Sequence, residues 1–236
     1  MDVITEAGAT DERRTPLTRD RVLGAAVDLA DRGGFEGLSM RKLGQELGVD
    51  AMALYRHVRS KDDLLDGLVE VIVGQIEGPF SVDDWKAALR AQAMAARGVM
   101  LRHPWARRVL EERGTGGPAT LVHIEAALAT LHDGGFSIEL AHHALHLLGS
   151  RLFGFTQDLF EESAPVDPPP DPAILARAMA GYPRIIELAA SVSHEGVLGA
   201  CDDDVEFAFG LDLILEGLEL KRAAATAESG DTFPKS

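Results

Sequence analysis

The chain has 236 residues, 46% hydrophobic and 26% charged, enough for one or two compact domains and too apolar for a disordered chain. Its 24 Gly and 11 Pro are too few for a collagen-like or low-complexity sequence. With 23 Lys+Arg against 38 Asp+Glu the net charge is −15, which as an average argues against nucleic acid, whose phosphates favour a basic surface.

Residues 1–15 are polar, end near Arg13 and Arg14, and read as a flexible arm. Thr18 caps a first helix over 18–32, with Val22, Leu23, Ala26, Val27, Leu29 and Ala30 at helical spacing and Gly33 and Gly34 as its stop. Ser39 caps a short helix over 39–47, apolar at Met40, Leu43 and Leu47 and ended by Gly48. Asp50 caps a third helix, 51–57. Residues 60–63, Ser-Lys-Asp-Asp, have the form of a capping box with Asp in the Glu role, and open a fourth helix over 61–77.

The same grammar continues. Residues 81–84 open a helix to about Leu101, which His103 and Pro104 break. Short and long helices follow over 105–112, 118–132 and 137–162, separated by glycine-rich loops. The PVDPPPDP run at 165–172 is an extended linker, 172–190 is helical with a break near Gly181, and a last helix runs from Cys201 to about Arg222. Residues 224–236 read as a mobile tail. No strand-like alternation occurs, so the fold class is all-α, with a three-helix N-terminal domain at 16–77 and a helical bundle at 78–223.

The charge is unevenly spread. Between Arg13 and Lys61 ten basic residues face six acidic ones, a net of +4 that leaves −19 for the rest. A small basic head on a large acidic body suggests two jobs. The lone cysteine, Cys201, excludes an internal disulfide and points to a reducing compartment. The opening stretch has no apolar signal region and no run reaches the ~20 residues of a membrane span, so a cytoplasmic chain with no membrane partner is expected.

The two short helices joined by Gly48, Val49 and Asp50 have the shape of a helix-turn-helix, over about 39–58. Leu43, Leu47, Leu54 and Val58 supply a small core with the first helix. Met40, Arg41, Ala51, Met52, Ala53, Tyr55, Arg56 and His57 then lie off the core face. Arg56 suits guanine, residues 51–53 suit thymine methyls, Tyr55 and Lys61 suit phosphates, and Arg41 suits either a phosphate or a base. The helix start at Ser39 also offers free N–H groups to phosphate. Pattern alone also fits a three-helix core with a solvated face.

The residues go further than pattern. Residues 18–73 resemble the DNA-binding region of the TetR family of bacterial regulators. GFEGLSMRKLGQELGVDAMALYRHVRSKDDLLDGL (34–68) carries the likeness, and LYRHVRSKDDLL is close to the family's usual Leu-Tyr-x-His-Val/Phe-x-x-Lys-x-x-Leu. The resemblance implies that Met40, Arg41, Ala51, Met52, Ala53, Tyr55, Arg56, His57 and Lys61 face DNA, with 51–53 and 56 setting sequence preference. Residues 83–160 and 206–219, above all LHDGGFSIELAHHALHLLG and FAFGLDLILEGLE, resemble the regulatory domain of the tetracycline repressor subgroup.

That second resemblance implies a ligand-binding, dimerising body. Stripes on the last two long helices then become the dimer interface: Leu140, Leu147, Leu148 and Phe155 with Phe207, Leu211, Ile214 and Leu218. Periodicity equally allows them to pack inside one subunit. A pocket is expected near Met94, Arg97, Trp105, His123, Ala127 and His143. Aligned through Gly135, Phe136 and Ser137, Leu110 falls where the drug repressors hold a metal-binding histidine, and Ala93 and Ala127 where they hold amides. A metal–tetracycline complex therefore does not suit this chain. A more apolar effector, with an acidic group for Arg97 or Arg102, does.

His142 and His146 form an i, i+4 pair that can hold zinc with a third ligand, and polar positions on a dimer or pocket face are the plainer reading. No P-loop, Gly-x-Ser-x-Gly or dinucleotide fingerprint appears, so neither enzyme activity nor a cofactor is expected. The sequence thus points to a ligand-released, homodimeric repressor of a palindromic double-stranded operator. The alternative is a helical-bundle metal-binding protein or enzyme using His142 and His146.

Overall fold

The structure is a computed structural model that describes residues 16–78, 84–114, 116–154, 174, 177, 180–191 and 203–230. Among these residues every regular element is helical, so the all-α class holds. The chain packs as two units that are not contiguous in sequence. One, the head, comprises Met1–Gln75 and Met100–Ala119; the other, the body, comprises Ile76–Val99 and Thr120–Ser236. Residues 100–119 thus pack with the head although they follow residue 77 in sequence.

In the head, α1 (Arg19–Gly33) starts where Thr18 accepts from the Arg21 N–H. α2 (Met40–Leu47) is capped by Ser39, α3 (Ala51–Leu54) by Asp50, and α4 (Lys61–Val73) by Ser60. All four caps are those the sequence names, because each side-chain oxygen satisfies an N–H that the first helical turn leaves open. A single 3₁₀ turn at Phe35–Gly37, which no sequence pattern announced, joins α1 to α2. α4 ends at Val73 rather than 77, since the Gly74 and Gln75 N–H groups turn back to the Glu70 and Ile72 carbonyls. The last residues of α5 (Trp85–Arg102) and all of α6 (Ala106–Arg113) complete the unit. Its core holds Val22, Ala26, Leu43, Leu54, Val58, Leu64, Leu68 and Ile72, each fully buried. At about 1.5–3 kcal/mol for each large side chain, this burial outweighs the weak intrinsic stability of helices of four and eight residues.

The body contains most of α5, then α7 (Pro118–Asp133), α8 (Ile138–Gly154), α9 (Pro183–Ser191) and α10 (Asp203–Gly230). Leu89, Leu131, Phe136, Ala144, Phe207, Leu211, Leu215 and Leu218 form its core. Trp85 sits edge-on to Phe136, ring centroids 4.7 Å apart. α10 runs to Gly230, past the expected end at Arg222, because 223–227 (Ala-Ala-Ala-Thr-Ala) is rich in the strongest helix former and the Thr226 hydroxyl donates to the Arg222 carbonyl. The tail expected from 224 is thus helical as far as 230. Cys201, the 165–172 linker and the end of the long helix beyond 154 fall outside the described residues.

Candidate nucleic-acid interface

The interface is built on a tight joint between α2 and α3. Gly48 closes α2 in the left-handed region (φ 65°, ψ 31°), and the Val49 N–H donates to the Gly44 carbonyl at 2.9 Å. A Cβ at Gly44 would lie 2.8 Å from the Val49 carbonyl oxygen, so only glycine lets the backbones come this close. Asp50 then accepts from the Met52 N–H at 2.7 Å and starts α3.

α3 is shorter than the expected 51–57. Its helix spans Ala51–Leu54, and the chain closes one further tight turn in which the His57 and Val58 N–H groups both donate to the Leu54 carbonyl. The early end follows from Val58, which must swing into the core beside Leu54. Met52, Tyr55 and Arg56 are exposed, with Met52 at 71% of its full accessible surface, while Ala51, Ala53, His57 and Met40 are half-buried. Arg41 and Lys61 are also exposed, and Lys61 Nζ sits 5.7 Å from the Phe35 ring centroid. The nine residues expected to face DNA thus collect on α2, α3, the turn after α3 and the start of α4. Leu47, expected in the core, is only half-buried.

Two supports of this surface are not visible in sequence periodicity. Arg19 donates to both Asp63 carboxylate oxygens and to the His57 carbonyl. Asp63 also accepts from the Arg59 N–H rather than the Ser60 N–H, so only half of the expected capping box forms, the Asp63 N–H donating to Ser60 Oγ at 3.1 Å. At the other end of α1, Arg32 pairs with Glu46 of α2 at 2.7 Å. Both are long-range pairings that no local pattern marks.

The body residues divide differently from the expectation. Trp105 is not in the body at all: it packs in the head, its indole N–H donating to Asp31 at 2.5 Å. Leu110 is likewise buried in the head. Arg102 is exposed at the head end of α5. Ala127 and Met94 pack into or against the body core. His143 is exposed, and the half-buried His123 accepts at its carbonyl from Gln92. Arg97 is buried, pairs with Asp204 at 2.7 Å and lies over the Phe207 ring at 4.6 Å. A cleft of about 450 Å³ lies in the head, between Arg19, Asp66, Glu70 and Arg113, and none of the six expected pocket residues lines it.

Most of the expected dimer stripe packs inward within the single chain. Phe207, Leu211 and Leu218 are core residues of their own subunit, and Leu140, Leu148 and Ile214 pack against that core. Only Leu147 of the eight is exposed among the described residues; Phe155 lies outside them. The exposed apolar row on α10 is Val205, Phe209, Leu213 and Leu220. α10 is apolar on two sides, so periodicity found a real stripe but could not tell which one faces inward. His142 and His146 are exposed, with ring centroids 4.5 Å apart, and among the described residues no group of three His, Cys, Asp or Glu converges to hold a metal. No helix among them is long and apolar enough to cross a membrane.

A helix-turn-helix head joined to a helical body defines a regulator of the DNA-binding class. Residues 22–68 match the family described as bacterial regulatory proteins, tetR family, and residues 79–222 match the tetracyclin repressor-like C-terminal domain. The chain belongs to the TetR family of transcriptional regulators. It is 31% identical to the HTH-type transcriptional repressor DrrR1 of Streptomyces coeruleorubidus, over 97% of this chain and 88% of that one. Apo ActR from Streptomyces coelicolor superposes with a TM-score of 0.70 at 26% identity, covering 89% of this chain and 99% of ActR. ActR in complex with actinorhodin gives 0.67 at 28%, covering 88% and 99%.

Proposed function

We propose that the chain is a homodimeric repressor that a small-molecule effector releases from a palindromic operator. The observation that carries this reading is the exposed set Met52, Tyr55 and Arg56, on α3 and the turn that follows it, within the Arg13–Lys61 stretch that carries a net charge of +4. An α-helix fits the major groove, where each base pair presents a distinct pattern. Arg56 takes guanine through two N–H groups, Met52 with Ala51 and Ala53 meets thymine methyls, and Tyr55, Lys61 and the N-terminus of α2 hold phosphates. A two-fold dimer sets its heads about one DNA turn apart, roughly 34–36 Å, which makes the operator a pseudo-palindrome.

The dimer face in this reading is the row Val205, Phe209, Leu213 and Leu220, with Leu147 of α8. Large apolar side chains in a row on one helix are costly to leave in water, and a second copy supplies the matching surface.

The effector is an apolar small molecule with an acidic group. Arg97 and Arg151 lie over the same Phe207 ring, at 4.6 and 5.1 Å. Burial, and then the charge of Arg97, hold the Arg151 guanidinium below its ordinary pKa. An anion between the two relieves that repulsion. The ActR complex supports a small-molecule effector for a similar body. Tetracycline with magnesium does not suit it, since Ala93 and Ala127 carry no amide and Leu110 packs in the head core.

The test is to select the operator from a random DNA pool, measure stoichiometry by sedimentation, then screen compounds for release. Two protomers on a two-fold-symmetric site, with salt-sensitive affinity, are expected. A monomer on a single half-site would overturn the dimer, and release by micromolar tetracycline with magnesium would overturn the effector class.

A further inference from the structure

The last turn of α1, the turn after α4 and the corner between α5 and α6 meet at a part-buried polar cluster centred on His103, outside the residues proposed to contact DNA. His103 follows the last residue of α5 and is buried. Its Nδ1 lies 2.8 Å from Asp31 Oδ1, the same oxygen that accepts from Trp105 Nε1. On its far side, Nε2 lies 3.0 Å from Gln75 Oε1. An ionised carboxylate only accepts, so Nδ1 carries the hydrogen in the contact with Asp31. A buried donor that loses its acceptor is strongly disfavoured, which ties the position of the ring to the position of α1.

The adjoining residue extends the connection. Arg32, next to Asp31 on α1, pairs with Glu46 of α2. The α5–α6 corner therefore reaches α2 through two consecutive α1 side chains, one turned to His103 and one to Glu46. α2 in turn fixes α3 through the crowded joint at Gly44.

We propose that His103 is a positioning residue for operator binding: through Asp31 it sets the last turn of α1, and through the Arg32–Glu46 pair it sets the angle at which α2 and α3 meet DNA. The inference rests on the DNA-binding role of the head. It also makes the end of α5 and the end of α1 move together, although neither touches DNA.

Three substitutions at one position separate the two arms of the ring. His103→Asn places an amide N–H where Nδ1 stands, His103→Gln places one where Nε2 stands, and His103→Leu fills space with neither. The full chain is titrated with its selected operator, and amide exchange is followed over residues 29–33. The Asn variant should keep affinity within about threefold and leave exchange unchanged. The Gln and Leu variants should lose about tenfold or more, the scale of one hydrogen bond to a charged group, with faster exchange at the end of α1. Asp31→Ala should match the Leu variant, and the double variant should lose no more than either single one. Leu binding as well as Asn, Asn losing as much as Leu, or additive losses would each overturn the proposal. If the Leu variant does not fold, the Asn and Gln variants, both polar, still decide between the arms. If the native chain binds no operator, the DNA-binding role fails, while exchange in the Asn and Gln variants still judges the clamp.

Discussion

Arg19 grips Asp63 at two points, Nη2 2.8 Å from Oδ1 and Nη1 3.1 Å from Oδ2, while Nη1 also donates to the His57 carbonyl at 2.9 Å. One side chain at the start of α1 thereby holds the turn after α3 and the start of α4. The Arg19 hydrogen bond, and then the Arg59 N–H, hold the Asp63 carboxyl below the usual aspartate range. A carboxyl whose folded pKa lies below its unfolded value adds stability above the unfolded range, near pH 4, and that stability is lost as pH falls through the folded value. Asp63→Asn should therefore be less stable than the native chain at neutral pH and lose less on acidification. Urea unfolding between about pH 2.5 and 7 checks this, and parallel acid limbs would count against it.

Arg56→Ala should relax choice at one base pair of each half-site, costing about 1–3 kcal/mol on the preferred base and little on the others. Titrations against an operator set varied one base at a time read this out. Equal loss on every variant would reassign Arg56 to the phosphates.

Lys61→Ala and Tyr55→Ala should weaken binding evenly across those operators. For Lys61, the slope of log affinity against log salt should also shrink by about one. A loss confined to particular bases contradicts the phosphate role.

Phe209→Glu and Leu211→Ala should separate surface from core on one helix. Phe209 is 61% exposed and Leu211 is fully buried. The glutamate should dissociate the dimer in sedimentation with helicity retained. The core truncation should lower stability by about 2–5 kcal/mol, the range for a buried leucine. The reverse pattern would restore the stripe through Leu211 as the interface.

The capping signals were legible. Thr18, Ser39, Asp50 and Ser60 each cap the helix they precede in the sequence, because capping involves only residues two or three apart. The exposure of Arg41, Met52, Tyr55, Arg56 and Lys61 was legible for the same reason, since a helix-turn-helix is a local motif whose apolar face names its polar one. What escaped depends on distant partners. Trp105 looked like a body residue because it follows the long α5, yet Asp31, 74 positions earlier, draws it into the head. Phe207 and Phe209 are two positions apart on a helix apolar on both sides, and only the packing of α8 and α5 decides which is covered. The motif gives the Asp63 N–H its partner in Ser60, but no motif marks Arg19, which holds the Asp63 carboxylate from 44 positions away.

The joint at Gly44 has a consequence for how such heads diversify. With the Val49 carbonyl filling the space where a side chain would start, the two short helices cannot be re-angled by exchanging their exposed residues. Residues 51–53 and 56 are then replaceable characters on a fixed mount. A graft of those four positions from a relative should carry over that relative's operator choice without disturbing the fold beneath.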